Sequence, residues 1–160
     1  MSTPDQLTLG WREWASLPDL GIDRIKVKVD TGARTSALHA FSVEPFTQDG
    51  QEWVRFLLHP KQQNTTIIKR CTAKVLTRKK VSDSGGHSEE RYFIETTMCI
   101  GDVSFPAQLT LTNRDTMRFR MLLGRKAMEG RFVVDPSLSY CLGKPIDVFP
   151  DASESENGDL

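Results

Sequence analysis

Polar and apolar residues alternate along much of this chain with a period of two, the spacing of half-buried strands. In Lys26-Val27-Lys28-Val29 the lysines fall on one side and the valines on the other. Residues 52–59 read as a strand stopped by Pro60, and residues 36–43 as another. Residues 67–81 form a long strand region, and residues 91–100 its return. Residues 103–112 follow, alternating most cleanly at Gln108-Leu109-Thr110-Leu111-Thr112, and residues 132–136 close the series. Turn signals separate these runs: Gln48-Asp49-Gly50-Gln51, the Gly-rich residues 82–90, and Gly101-Asp102. Helical propensity is concentrated in Arg125-Lys126-Ala127-Met128-Glu129, ended by Gly130. Trp11 and Trp14, three apart before Pro18, suit one helical face or a bent edge segment, packing on the sheet in either case. The pattern predicts an all-β barrel or sandwich with one short helix.

Length changes the picture little: 160 residues suit one domain with one real core. Its expected bounds are 10–149, between a loose N-terminal end (1–9) and a disordered acidic tail (150–160). Lys plus Arg equal Asp plus Glu at 21 each, so no global charge points to nucleic acid or a membrane surface. The basic positions between Lys69 and Lys80 lack interleaved aromatic residues for base stacking, which favours a solvated strand face. No signal core or membrane span is evident. Cys71, Cys99 and Cys141 are an odd, sparse set, expected as reduced thiols in a cytoplasmic protein.

The candidate chemistry lies where the Lys26–Val29 alternation runs into Asp30-Thr31-Gly32-Ala33. A strand delivers a carboxylate into a tight polar loop, with Gly32 free to take angles that a side chain forbids. That presents Asp30 as a general acid/base must be presented: fixed and aimed outward. Downstream stands Met121-Leu122-Leu123-Gly124-Arg125. Together these segments resemble the retropepsin-like aspartic proteases, which carry D-T-G-A and, later, two bulky apolar residues and a Gly, often followed by Arg and a short helix. The wider string from Gly10-Trp11-Arg12-Glu13-Trp14 through Arg34-Thr35-Ser36-Ala37-Leu38-His39-Ala40 is similar to a bacterial family. Its members are often labelled ATP-dependent zinc proteases and linked to ATP-grasp glutamate ligases that modify a ribosomal protein.

The resemblance implies a closed β-barrel or sandwich with a hairpin flap, and a homodimer with Asp30 catalytic. It gives Thr31, Gly32 and Ala33 the active-site loop, and Leu122, Leu123, Gly124 and Arg125 its support. Gly124 would let the chain pass close to the loop, with Leu122 and Leu123 packed beneath. In viral members Arg125 pairs with an acid just after D-T-G-A. This chain has Arg34 there, leaving Glu129 or Asp135 to serve. Asp83-Ser84-Gly85 is a second D-[ST]-G, but no bulky apolar run precedes it and no second apolar-apolar-Gly follows. Ser84, Gly85, Gly86 and His87 fit the flap tip instead, or an ordinary exposed loop.

The zinc and ATP labels find little support. There is no His-Glu-x-x-His, no Cys-x-x-Cys and no phosphate-binding Gly-x-x-x-x-Gly-Lys-[Ser/Thr], and His39, His59 and His87 have no ligand spacing. No metal or other cofactor is expected. The sequence therefore predicts an aspartic peptidase acting on a peptide or amide-linked chain. A glutamate-rich tail is the candidate substrate if the ligase link holds. A non-catalytic peptide-binding module and a zinc hydrolase are the alternatives.

Overall fold

The computed structural model describes residues 6–59, 68–82, 85–86, 88–113 and 118–143. Its strands are β1 (Leu7–Leu9), β2 (Arg12–Leu17), β3 (Ile22–Val29), β4 (Ser36–His39), β5 (Phe41–Gln48), β6 (Gln51–Leu58), β7 (Lys69–Ser82), β8 (Ser88–Ile100), β9 (Val103–Thr112), β10 (Met121–Leu123) and β11 (Phe132–Val134). One helix, α1 (Arg125–Met128), joins the last two. Six strands in the order β2-β3-β10-β4-β9-β8 form a barrel, which the β2–β8 pairing closes at Ser16 and Cys99. The chain is thus an all-β closed barrel with one short helix, as the alternation predicts.

The inward face of the barrel carries Val27, Leu38, Ile94, Leu109 and Met121, all essentially shielded from water. Each such side chain stabilises the fold by about 1.5–3 kcal/mol relative to exposure. The sheet continues from β8 through β7, β6 and β5, covering Val54, Phe56 and Leu58. The β5–β6 hairpin turns on Asp49 and Gly50, both at positive φ (53° and 74°), the type I′ geometry that Asp-Gly favours.

Two expectations change, and one pair of alternatives is decided. Leu7–Leu9 is not a loose end: it pairs in parallel with β11 and buries Leu9 completely. Residues 36–43 are not one strand. The chain leaves the barrel at Ala40 and enters β5, where Ser42 takes φ 53° at a register shift. Of the two readings open for Trp11 and Trp14, the bent edge segment holds: Trp11 lies in a bend just before β2, Trp14 lies within β2, and Pro18 opens a 3-10 turn after it. The Arg12 guanidinium lies over both the Trp11 ring at 4.6 Å and the Tyr140 ring at 4.8 Å. Trp14 stacks on Tyr140 at 5.7 Å, while Trp11 meets Phe119 edge-on at 5.9 Å.

The β7–β8 hairpin is much longer than the barrel needs. Pairing of β8 with β9 ends at Phe93–Thr110, while pairing with β7 runs on through Arg78–Tyr92 to Ser82–Ser88. Beyond Phe93 the two strands therefore have only each other, a two-stranded arm. Gly85 and Gly86 at its tip are exposed. Ser84, His87 and Asp83 lie outside the described residues, as does the tail 150–160. Aromatic residues missing within the basic run come from across the hairpin: Arg78 sits over Tyr92 at 5.8 Å and Lys79 over Phe93 at 5.4 Å.

Candidate active site

Three strands converge on the D-T-G-A loop. β10 lies between β3, which it pairs in parallel (Leu123 with Val29), and β4, which it pairs antiparallel (Leu122 with Ala37). The Asp30 N–H continues this ladder by donating to the Leu123 carbonyl at 2.9 Å. The chain then turns, with the Ala33 N–H donating to the Asp30 carbonyl at 3.2 Å. Inside that turn the Asp30 Oδ1 accepts the Gly32 N–H at 3.1 Å. Asp is suited to this because its short carboxylate reaches the N–H two residues on.

Gly32 serves differently from the expectation. Its φ is not in the left-handed region. A Cβ there would lie 3.3 Å from the Asp30 Oδ1, crowding the oxygen that its own N–H holds. Gly124 allows the close approach the motif implies: a Cβ would lie 2.7 Å from the Thr35 carbonyl carbon and 2.9 Å from the Ser36 nitrogen. Its N–H donates to the Ser36 Oγ at 2.9 Å, a buried contact. Ser36, six residues beyond Asp30, is a support that the sequence reading placed only in a strand. The signal was its short polar side chain among apolar strand positions.

The first turn of α1 completes the frame. Helix N-termini leave N–H groups without intrahelical acceptors. Here the Arg125 N–H donates to the Ala33 carbonyl at 2.8 Å and the Lys126 N–H to the Arg34 carbonyl at 3.0 Å. The Arg125 guanidinium donates to the Thr31 carbonyl at 2.9 Å. Glu129 and Asp135, the partners expected for Arg125, make no ion pair with it among the described residues; Asp135 instead accepts from Ser137. Leu123 is buried in the barrel, as a residue packed beneath the loop would be. Leu122 is not: it is half-buried on the opposite face.

That opposite face is a second feature the sequence reading missed. Lys28, Leu122 and Ala37 are register partners across β3, β10 and β4, so they share one side of the sheet. Alternation places Asp30 on the side of Lys28. Lys28 is exposed while Leu122 and Ala37 are half-buried, which makes a partly open floor beside Asp30. Lys26, further back on that side, is buried with its Nζ 5.0 Å from the Trp14 ring centroid. Asp30 is itself half-exposed, and among the described residues its Oδ2 has no hydrogen-bond partner. The Thr31 side chain is exposed, and its hydroxyl is likewise unpartnered among those residues. The described residues hold no group of three or more His, Cys, Asp or Glu side chains arranged for a metal ion, so a zinc site has no fitting donor set there.

Comparison with known proteins adds the lineage. Proteins named probable alpha-L-glutamate ligase from Shewanella pealeana and Shewanella halifaxensis are each 46% identical over 144 residues, 90% of this chain and 31% of the relative. One of the same name from Parasynechococcus marenigrum is 46% identical over 138 residues, 86% of this chain and 30% of the relative. The chain therefore spans about a third of the length of these curated relatives. A crystal structure of a Legionella pneumophila protein of unknown function superposes with a TM-score of 0.72 at 25% identity, covering 86% of this chain and 99% of that one. A family described as RimB-like, retropepsin-like aspartic endopeptidase RimB, matches residues 8–145. With its barrel, its D-T-G-A loop and a match over that span, the chain belongs to the RimB-like family of retropepsin-like aspartic endopeptidases.

Proposed function

We propose that this chain is an aspartic peptidase that works as a homodimer, with Asp30 as the catalytic carboxylate of each subunit. The observation that carries this reading is the Asp30 side chain itself. One oxygen is held by the Gly32 N–H, the other is unpartnered among the described residues, and the loop is tied to β10 and α1 through the backbone. A carboxylate fixed in this way loses little freedom on meeting substrate.

Two such carboxylates would face each other across a two-fold axis. Like charges at contact distance cannot both ionise, so the pair shares one proton. The ionised Asp30 takes a proton from water as that water attacks the scissile carbonyl carbon, and the protonated Asp30 donates to the carbonyl oxygen. Collapse of the tetrahedral intermediate breaks the C–N bond, and the leaving nitrogen takes up a proton from the pair. Lys28, Leu122 and Ala37 would form the floor under the substrate. The arm of β7 and β8, with Gly85 and Gly86 at its tip, would close over it. Thr31, exposed and with an unpartnered hydroxyl, would lie at the axis and bond to the opposite loop.

The substrate we propose is a peptide or amide-linked amino-acid chain, with a glutamate-rich tail as first candidate. Relatives that match over a third of their length are named glutamate ligases, which supports a shared substrate for joining and cleavage. We also place the protein in the cytoplasm. Its three cysteines are free, as a reducing compartment keeps them, and no described helix is long and apolar enough to cross a membrane.

Sedimentation at assay concentration, with specific activity followed on dilution, tests the reading. Specific activity falls as the dimer dissociates. A monomer with full specific activity overturns the shared-proton mechanism.

A further inference from the structure

Immediately after the D-T-G-A loop the chain borders a cleft of about 440 Å³ that the mechanism above does not use. Its walls are the Arg34–Ser36 segment, the start of α1, the middle of β9 and the base of the β7–β8 arm. Four of its lining side chains are cationic (Arg34, Lys79, Lys126 and Arg131), against one carboxylate, Glu95. This imbalance stands out in a chain whose total charge is zero.

The cations are partly pre-positioned. Lys79 lies with its Nζ 5.4 Å from the Phe93 ring centroid. The Arg131 guanidinium sits 4.5 Å over Phe105 and donates to the Ala127 carbonyl at 3.4 Å. Arg34 and Lys126 are locked together through the backbone at 3.0 Å, while their side chains are exposed. Among the described residues none of the four forms an ion pair, whereas Arg55, Arg78 and Arg91 all do. Basic side chains gathered in a concavity and outnumbering its one carboxylate focus a field that attracts anions.

Chain geometry bounds the distance to Asp30. The turn from Asp30 to Ala33 brings those Cα atoms within about 7 Å, and one further peptide adds roughly 3.8 Å. The Arg34 end of the cleft therefore begins within about 11 Å of Asp30, the reach of roughly three extended residues.

Resting on the peptidase reading, we infer that this cleft is a subsite for carboxylate side chains of the substrate, a few residues to one side of the bond that is cleaved. Arg34, Lys79, Lys126 and Arg131 read acidic residues there, and Glu95 limits how tightly they are held. The class of ligand is an acidic peptide. A single carboxylate would leave most of the positive charge uncompensated, so consecutive acidic residues fit best.

The test measures binding apart from turnover. Fluorescent hexaglutamate and hexaglutamine are titrated against the full chain carrying Asp30→Asn, at low salt and at 0.5 M salt. Hexaglutamate binds more tightly at low salt, and the difference shrinks as salt screens it. Each of Lys79→Gln and Lys126→Gln weakens hexaglutamate binding about two- to fivefold and leaves hexaglutamine unchanged, the scale of an exposed charge pair. Glu95→Gln changes binding in the opposite sense, tightening hexaglutamate by a similar factor, which a merely damaged fold does not do. Equal affinity for the two peptides overturns the subsite. So does a parallel loss for both peptides in the lysine variants, or displacement of hexaglutamate by an oligonucleotide of equal charge at equal concentration. The two readings fail separately. If the wild-type chain binds hexaglutamate as described and never cleaves it, the peptidase reading falls and the subsite stands. If it cleaves both peptides alike and the variants change nothing, the reverse holds.

Discussion

Glu13 and Asp30 both accept backbone N–H groups, on either side of the Trp11–Val29 pair at one end of the β2–β3 ladder. Glu13 is completely buried. Its Oε2 accepts the N–H groups of Gly10 at 2.7 Å and Cys141 at 2.8 Å, and its Oε1 that of Leu142 at 3.2 Å. Both oxygens are occupied, and the carboxylate clasps the segment after β11 onto the start of β2. Asp30 accepts one N–H, from its own loop, and remains half-exposed. The glycines beside them repeat the contrast. A Cβ on Gly10 would lie 2.2 Å from the Leu138 carbonyl oxygen, so the backbone is pressed against the segment after β11. A Cβ on Gly32 would meet only the Asp30 carboxylate. A carboxylate surrounded by donors from distant segments holds a fold, and one held by its own loop with an oxygen to spare is available for chemistry.

Exchanging the two roles by mutation gives the largest expected effects. Asp30→Asn keeps the shape of the loop and removes the proposed acid/base. Hydrolysis should fall by roughly 10²–10⁴-fold or more, with the melting temperature within a few degrees of wild type. Retained turnover in the pure variant removes Asp30 from the mechanism. Glu13→Ala should do the converse. One buried and two partly buried N–H groups lose their acceptor, at a cost of about 3 kcal/mol, read as a loss of roughly 10 °C in a thermal melt. An unchanged melting temperature would show that the clasp contributes little.

A smaller effect is expected at Thr31. If its hydroxyl bonds across the dimer axis, Thr31→Val costs about 1 kcal/mol, which weakens the dimer roughly fivefold and lowers activity mainly at low protein concentration. A dimer of unchanged strength would move the axis away from this loop. The smallest effect concerns a third carboxylate, intermediate between the other two. Asp19 is exposed, yet hydrogen bonds from the Thr97 hydroxyl and backbone N–H hold its carboxyl below the ordinary value. A lowered value means that the folded state binds this proton less tightly than the unfolded state. The contribution is therefore present above the ordinary carboxylate range and is lost as pH falls through the lowered value. The stability gap between wild type and Asp19→Asn should close on acidification below about pH 4. A gap that persists at pH 3 would assign it to packing.

Local chemistry in the sequence determined a good deal of this protein. Asp49-Gly50 specifies a hairpin turn because both residues tolerate positive φ, and the structure has it. Period-two alternation specifies strands, and Arg125 to Met128 forms the one helix, whose length the run of helix formers already limited. The D-T-G-A and Leu-Leu-Gly-Arg segments are paired through their resemblance to the retropepsin-like proteases, and the structure gives each its physical part: a short carboxylate reaching its own loop, and a glycine that admits a second chain.

What only the tertiary structure decided is whatever depends on residues far apart in the chain. Parallel pairing of β3 with β10 and of β1 with β11 leaves no turn signal between the partners. The closure of the barrel at Ser16 and Cys99 leaves none either. Alternation places Leu122 and Leu123 on opposite faces, but it does not say which face is the core. Nothing in the local sequence marks Glu13 as a buried clasp, because its donors at Cys141 and Leu142 lie 128 and 129 residues away. The cationic cleft was invisible for the same reason. Arg34, Lys79 and the neighbours Lys126 and Arg131 come from three segments, and their charges add only where the barrel folds those segments around one space.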